Sequence, residues 1–376
     1  MFRKILLLFA PLFCLLALEV AFRLGVWEPL ALGQSHAGTS IALKRSLREP
    51  AASRIDFVTL GSSRPLYGID HKRLAESAKK HGFVHANLSL AGSHWMTIGI
   101  LARWLQDRRP EVRGGIIALA DADFAFPGNG TYELGLVEPF RDAFDSSWVA
   151  AHVPFEQGNL ETYGVYSSLF AWRDDARNLI VNPSRIPLRI RYGAAPPPTD
   201  SLFANPESMG DMCNQDPASF TGCESLKHSV DPGVDLVQQC NQIRDVERDR
   251  PDFAELLSRR PLPDFMLRTR ALIRNQIRGM HWKIPPVVVL MPVPGYTRGG
   301  EKDFALHAWA LQILQPLAAA GEIHLLDATT FFEEGDQQEC HYFFDFYHQN
   351  AAGRQRFSDW LIPRMESLLY EANNGT

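Results

Sequence analysis

The chain has no long run of basic residues, no repeat of fixed period and no low-complexity segment. The first absence argues against nucleic-acid binding, which needs a basic face to neutralise phosphates. The second excludes solenoids and propellers. The third, with 45% hydrophobic and 22% charged residues, excludes a disordered or fibrous chain. Cysteine is sparse, five in 376 residues, and no two have Cys-x-x-Cys spacing, so a zinc site is a poor expectation. What remains is a mildly acidic chain of net charge −5, long enough for one large domain or two medium ones.

The N-terminus has the pattern of a membrane signal. Arg3 and Lys4 precede the apolar run Ile5–Leu18, which continues past Glu19 and Arg23 to Trp27. Residues 1–27 are expected to be a retained anchor or a cleaved signal; no small-x-small site follows, which favours the anchor. Glu19 and Arg23 are placed to pair across one helical turn near the outer interface. The basic end stays in the cytoplasm, so the rest is expected outside it, in the periplasm on a single-pass inner-membrane anchor. Cys14 lies in the anchor; Cys213, Cys223, Cys240 and Cys340 make an even set suited to two disulfides in an exported domain. Of three connectivities, Cys213–Cys223 with Cys240–Cys340 is the expected one.

Residues 28–54 read as a linker. Then short β-rich runs alternate with helical patterns, which implies parallel βαβ units. Asp56–Leu60, Val84–Leu90 and Gly115–Ala120 are expected strands; Asp70–His81, with Asp70 as N-cap, and Ser93–Asp107 are expected helices. The alternation lapses over Asp121–Leu262 and resumes with a helix at Phe265–His281, strands at Val287–Met291 and Ile323–Leu326 around a helix at Asp303–Ala320, and a last helix from about Asn350. The fold class predicted is α/β, a flavodoxin-like three-layer sandwich on a five-stranded parallel sheet. Its core falls at 55–125 and 263–376, with 126–262 as an inserted subdomain or lid.

Chemistry in such sheets sits at the carboxyl ends of the strands. The first strand runs into Gly61-Ser62-Ser63-Arg64, the second into Asn87-Leu88-Ser89-Leu90-Ala91-Gly92, and the third into Asp121-Ala122-Asp123; Asp345-Phe346-Tyr347-His348 precedes the last helix. A serine hydroxyl needs a base to become nucleophilic. Imidazole titrates near neutrality and suits that role, and a carboxylate on its far nitrogen sets tautomer and orientation. Ser63, His348 and Asp345 are therefore the candidate nucleophile, base and orienter. The Ser63 and Gly92 amides are the candidate oxyanion donors, and Gly92 has no side chain to hinder approach.

Gly61-Ser62-Ser63, Gly92 and Asp345-x-x-His348 resemble the blocks of the SGNH (GDSL-like) hydrolase superfamily. The likeness covers half to two-thirds of the chain and leaves out Asp121–Leu262; it is greatest to the membrane-anchored envelope branch, of which the teichoic-acid D-alanylation protein DltD is an example. The resemblance implies a serine esterase or O-acyltransferase working through acyl-Ser63 on acyl esters of a cell-envelope polysaccharide. No cofactor or metal is implied. The partners implied are an acylated glycan or acyl donor, the inner membrane, and a membrane-bound O-acyltransferase. One block departs: most members place an Asn donor after the third strand, where this chain has Asp121 and Asp123, and an ionised Asp only accepts. Asn129 or a protonated Asp would restore the donor; otherwise an inactive glycan-binding or scaffolding protein is the alternative.

Other candidates have two readings each. Arg64 either binds an anionic substrate group or pairs with a surface acid. Asn87 either hydrogen-bonds the active-site loop or is a turn residue. Asp121 and Asp123 either join His348 around a metal or act as rim caps. Phe124, Phe126, Phe343, Phe344 and Tyr347 either line an acyl or glycan pocket or belong to the core. His94 and His341 lie at the expected rim without an assigned role.

Overall fold

The computed structural model describes residues 2–26, 28, 36–48, 52, 54–124, 130–141, 166–183, 210, 212–213, 226, 235–241, 252–295, 301–333 and 338–374. The chain forms two compact units, one of Met1–Ser53 with Gly128–Thr199 and one of Arg54–Pro127 with Asp200–Thr376. Residues 200–262, expected within the insertion, group with the sheet.

The sheet unit runs β1 (Phe57–Gly61), α1 (Ser63–Gly68), α2 (His71–Lys80), β2 (His85–Asn87), α3 (Trp95–Arg108) and β3 (Gly114–Leu119). It resumes with α4 (Asp264–Gly279), β4 (Val287–Leu290), α5 (Glu301–Ala319), β5 (His324–Asp327) and α6 (Ala351–Asn374). All five strands are parallel, in the order β2-β1-β3-β4-β5, and helices flank them as in a flavodoxin-like three-layer sandwich. Every residue of β1, β3 and β4 is buried. That is why they read as unbroken apolar runs without alternation. β5 is half-buried, as befits an edge.

The strand order reverses between β1 and β3, so their carboxyl ends flank the crevice where such sheets bind ligands. Two features bring the end of the chain to that crevice. Asp70 caps α2, accepting from the Arg73 amide at 3.0 Å. The Asp70 amide in turn donates to Ser358 Oγ on α6 at 2.8 Å, and Ser77 Oγ on α2 donates to Glu366 on α6 at 2.8 Å. α6 is thereby fixed along α2, and the loop ahead of it reaches the end of β1.

In the other unit, residues 36–48, expected in a linker, form a helix. Its buried face uses Ala37, Ser40, Ile41, Leu43 and Leu47, too mixed to announce itself as an apolar stripe. Phe2–Arg23 is also one helix, and Glu19 pairs with Arg23 at 2.7 Å as expected. Glu19 further accepts from the Ser168 and Leu169 amides at 2.8 and 3.1 Å, capping the helix Ser168–Ala171. Among the described residues no helix is long and apolar enough to cross a membrane.

Two imidazoles lie in the sheet unit's interior, stacked 5.8 Å apart. His71 Nε2 donates to the Pro65 carbonyl of α1 at 2.9 Å, and His85 Nε2 shares a 2.8 Å hydrogen bond with Thr59 Oγ1 on β1. Burial pushes His71 down to about 4 from 6.5. Burial, then the neighbouring His71, holds His85 well below the same ordinary value. Between pH 6.5 and about 4 the unfolded chain binds protons that the folded chain excludes. Stability contributed above the unfolded value is therefore lost as pH falls through this window, by about 1.4 kcal/mol per pH unit for each such imidazole. Urea unfolding followed by circular dichroism should give a midpoint that is level above about pH 7 and drops steadily toward pH 4; a level midpoint down to pH 4 contradicts this.

Candidate active site

β1 ends at Gly61, and Ser62 caps the short helix α1, its hydroxyl facing the Arg64 amide at 3.4 Å. This puts Ser63 at the first helical position. A Cβ on Gly61 would lie 2.4 Å from the Ala118 carbonyl oxygen of β3 and 2.5 Å from Pro65 Cγ. The turn therefore tolerates no side chain there, since one contact is rigid backbone and the other a ring at the start of α1.

Opposite it, the loop between Phe343 and Gln349 closes on itself through an antiparallel bridge, with the Phe344 amide donating to the His348 carbonyl at 3.1 Å. Inside this loop Asp345 Oδ1 accepts from the Tyr347 and His348 amides at 2.8 and 2.7 Å. Its other oxygen, Oδ2, accepts from His348 Nδ1 at 2.7 Å and from Gln239 Nε2 at 3.1 Å. Burial alone would raise this carboxyl; the facing His348, by charge and hydrogen bond, with the Tyr347 amide and Gln239, outweighs it and holds the group below the ordinary carboxylate range. With Nδ1–H donated to Asp345, His348 Nε2 is left as the acceptor, and Ser63 Oγ donates to it at 2.7 Å. The structure thus brings Ser63, His348 and Asp345 into one hydrogen-bonded chain. Tyr67 and Phe344 pack on the imidazole, at 5.0 and 5.6 Å between ring centres, and restrict its rotation.

The Leu90 amide and the Ser93 hydroxyl both donate to the Gly61 carbonyl, at 2.9 and 2.6 Å. Gly92, between them, is therefore held beside the nucleophile turn. Its φ of +78° is a left-handed conformation that favours glycine. Among the described residues, neither the Ser63 nor the Gly92 amide donates to a backbone carbonyl. This suits groups needed by a developing oxyanion.

The third block acts as acceptor. Asp123 Oδ2 accepts from the Ala120 amide at 2.8 Å, and Oδ1 faces His94 Nδ1 at 3.0 Å. Because β1 lies between β2 and β3, this pair, joining the loops that follow β2 and β3, closes over the end of β1. Sequence alone assigns His94 no role; a His two residues after Gly92 and an Asp just past the third strand are the only signals of the pair. Gln239 was also missed, since nothing in residues 235–241 marks it as a partner of the distant Asp345.

The remaining candidates divide. Asn87 takes the turn role, its side-chain oxygen accepting from the Ser89 amide at 3.0 Å. Phe124 and Phe343 are fully buried; Phe124 packs edge-on against Trp95, and its carbonyl accepts from Trp309 Nε1 at 3.1 Å. Phe344 and Tyr347 border His348. Asp121 is buried. His341 is exposed, and its carbonyl accepts from Asn350. Phe126 and Asn129 lie outside the described residues. Arg64 makes no ion pair among the described residues and lies over the Tyr347 ring, 5.7 Å from its centre.

The expected disulfide pairing needs correction. Cys213 bonds to Cys340, across 127 residues, rather than to Cys223. The reason lies in the backbone: the Met212 amide donates to the Cys340 and Phe343 carbonyls, both at 3.0 Å, which seats Cys213 beside Cys340. Cys240 is also disulfide-bonded, and Cys223 lies outside the described residues. The bridged segments 212–213 and 239–240 thus flank the loop that carries Asp345.

No family model and no curated protein matches the chain. The site therefore stands on its own geometry. Gly61→Ala should keep the fold near neutral pH but displace α1, reducing reaction with a serine-directed fluorophosphonate by about tenfold or more, the order of loss expected for a misplacement of about 1 Å. Labelling at the wild-type rate would contradict the tight-turn account.

Proposed function

We propose that the protein is a serine-dependent esterase or O-acyltransferase of SGNH type, acting on acyl esters of a cell-envelope polysaccharide. The single observation that carries this is the hydrogen-bonded chain Ser63–His348–Asp345 at the carboxyl edge of the sheet. Ser63 Oγ attacks the acyl carbonyl as its proton passes to His348 Nε2. The Ser63 and Gly92 amides meet the oxyanion of the tetrahedral intermediate. Collapse expels the alcohol, which takes the proton from His348 and leaves acyl-Ser63. A second hydroxyl then gives its proton to His348 as it attacks the acyl carbon, and Ser63 Oγ leaves with that proton, which restores the resting site. Water gives hydrolysis; a glycan hydroxyl gives transfer. Asp345 stays ionised throughout and keeps the imidazolium oriented. No cofactor is needed for these steps.

The N-terminal pattern and the disulfides support an exported protein held at the inner membrane, with the site in the periplasm. Leu12, Phe13, Leu15, Leu16, Leu18 and Val20 are all about half exposed or more on their helix, a surface suited to lipid. That placement fits partnership with a membrane-bound O-acyltransferase supplying acyl groups.

The acidic third block favours a second reading, an inactive SGNH-like glycan-binding or scaffolding protein. A fluorophosphonate probe separates the two. Wild-type protein should label on one serine, Ser63→Ala should not label, and His348→Ala should label slower by about two orders of magnitude or more. Folded wild-type protein that resists the probe selects the scaffold.

A further inference from the structure

The residue after the nucleophile carries a charge that no acid among the described residues neutralises. Arg64 is half-buried, next to Ser63 in α1, and its guanidinium lies over Tyr347, the residue before His348. Its backbone thus adjoins the nucleophile, and its guanidinium packs on the residue next to the base. Its Nη1 is buried and has no hydrogen-bond partner. Three other arginines of this unit have an acid partner: Arg113 with Asp56 at 3.0 Å, Arg73 with Asp359 at 2.6 Å and Arg278 with Glu322 at 2.8 Å, although Arg113 Nε, like Arg64 Nη1, has no acceptor. A desolvated guanidinium N–H without an acceptor is destabilising, and folded chains rarely keep one unless something else supplies the acceptor.

We infer that Arg64 receives an anionic group of the substrate, a carboxylate or a phosphate close to the ester that Ser63 attacks. The substrate class is then the acyl ester of an anionic glycan, and neutral glycan esters are poor substrates. The inference rests on the proposed esterase or acyltransferase activity. A guanidinium suits the task, because its planar fork of donors matches two oxygens of a carboxylate or phosphate, and it stays charged at any physiological pH. On a chain of net charge −5 the attraction is local to the site rather than a property of the surface as a whole.

The test uses the full-length protein and matched small esters. One pair is O-acetyl methyl glucuronoside against O-acetyl methyl glucoside; the other is O-acetyl glycerol phosphate against O-acetyl glycerol. Wild type should favour the anionic member of at least one pair by about tenfold or more in kcat/KM, the discrimination expected of one charge-assisted hydrogen-bonded contact. Preference in the first pair assigns a carboxylate, and preference in the second a phosphate. Arg64→Gln should shrink that ratio to within about twofold, mainly through KM of the anionic ester, and Arg64→Lys should restore part of it. Equal wild-type rates on both members of both pairs overturn the role of Arg64 and leave the esterase reading intact. Absence of turnover on all four esters, with no fluorophosphonate labelling, overturns the esterase reading and this inference with it. The wild-type ratio decides even if Arg64→Gln fails to fold.

Discussion

The 2.7 Å hydrogen bond between Ser63 Oγ and His348 Nε2 joins residues 285 positions apart, and the functional account depends on it. Neither loop can make that bond alone. β1 aims Ser63 out of the sheet, and α6, tied to α2 through Asp70, Ser77, Ser358 and Glu366, brings the Asp345–His348 loop back over the same strand. The buried imidazoles of His71 and His85 lie under this junction, one bonded to α1 and the other to β1. The site is therefore held against a fully buried part of the sheet unit. That is the rigid support a preformed proton relay requires.

The neighbouring loops divide the remaining work. Gly92 is flanked by Leu90 and Ser93, which both hydrogen-bond to the Gly61 carbonyl, and offers an amide. The Asp123–His94 pair closes over β1 and takes the place where a donor amide side chain was expected. Behind His348, Asp345 collects four hydrogen bonds, one of them from Gln239. The segment 212–213 is bonded to Cys340 by a disulfide and by backbone hydrogen bonds just ahead of that loop. Oxidising conditions would thus stabilise the wall that supports the carboxylate.

Much of this was legible in the sequence, for definite reasons. β1, β3 and β4 are buried on both faces, so each shows as an unbroken apolar run, and Asp70 announces its helix by capping it. A strand leading into Gly-Ser-Ser and an Asp-x-x-His ahead of a helix each mark a loop where chemistry is possible. The disulfide partner was not legible, because Cys213 is chosen by the docking of Met212 and not by spacing. Nor was Gln239, an ordinary helix residue until Asp345 is placed against it. The helix His36–Arg48 escaped notice because Ala and Ser make up much of its buried face. Arg64 had two readings, and no acid is paired with it among the described residues.

The proposed chemistry requires a covalent acyl-serine. Its most direct test is mass spectrometry of the protein quenched in acid within the first turnover of an activated acetyl ester. The predicted result is a single acetyl increment on the peptide that contains Ser63, absent from Ser63→Ala and accumulating in place of product release when acceptor is withheld. Ester cleavage at the same rate in Ser63→Ala, with no increment on that peptide, would contradict it.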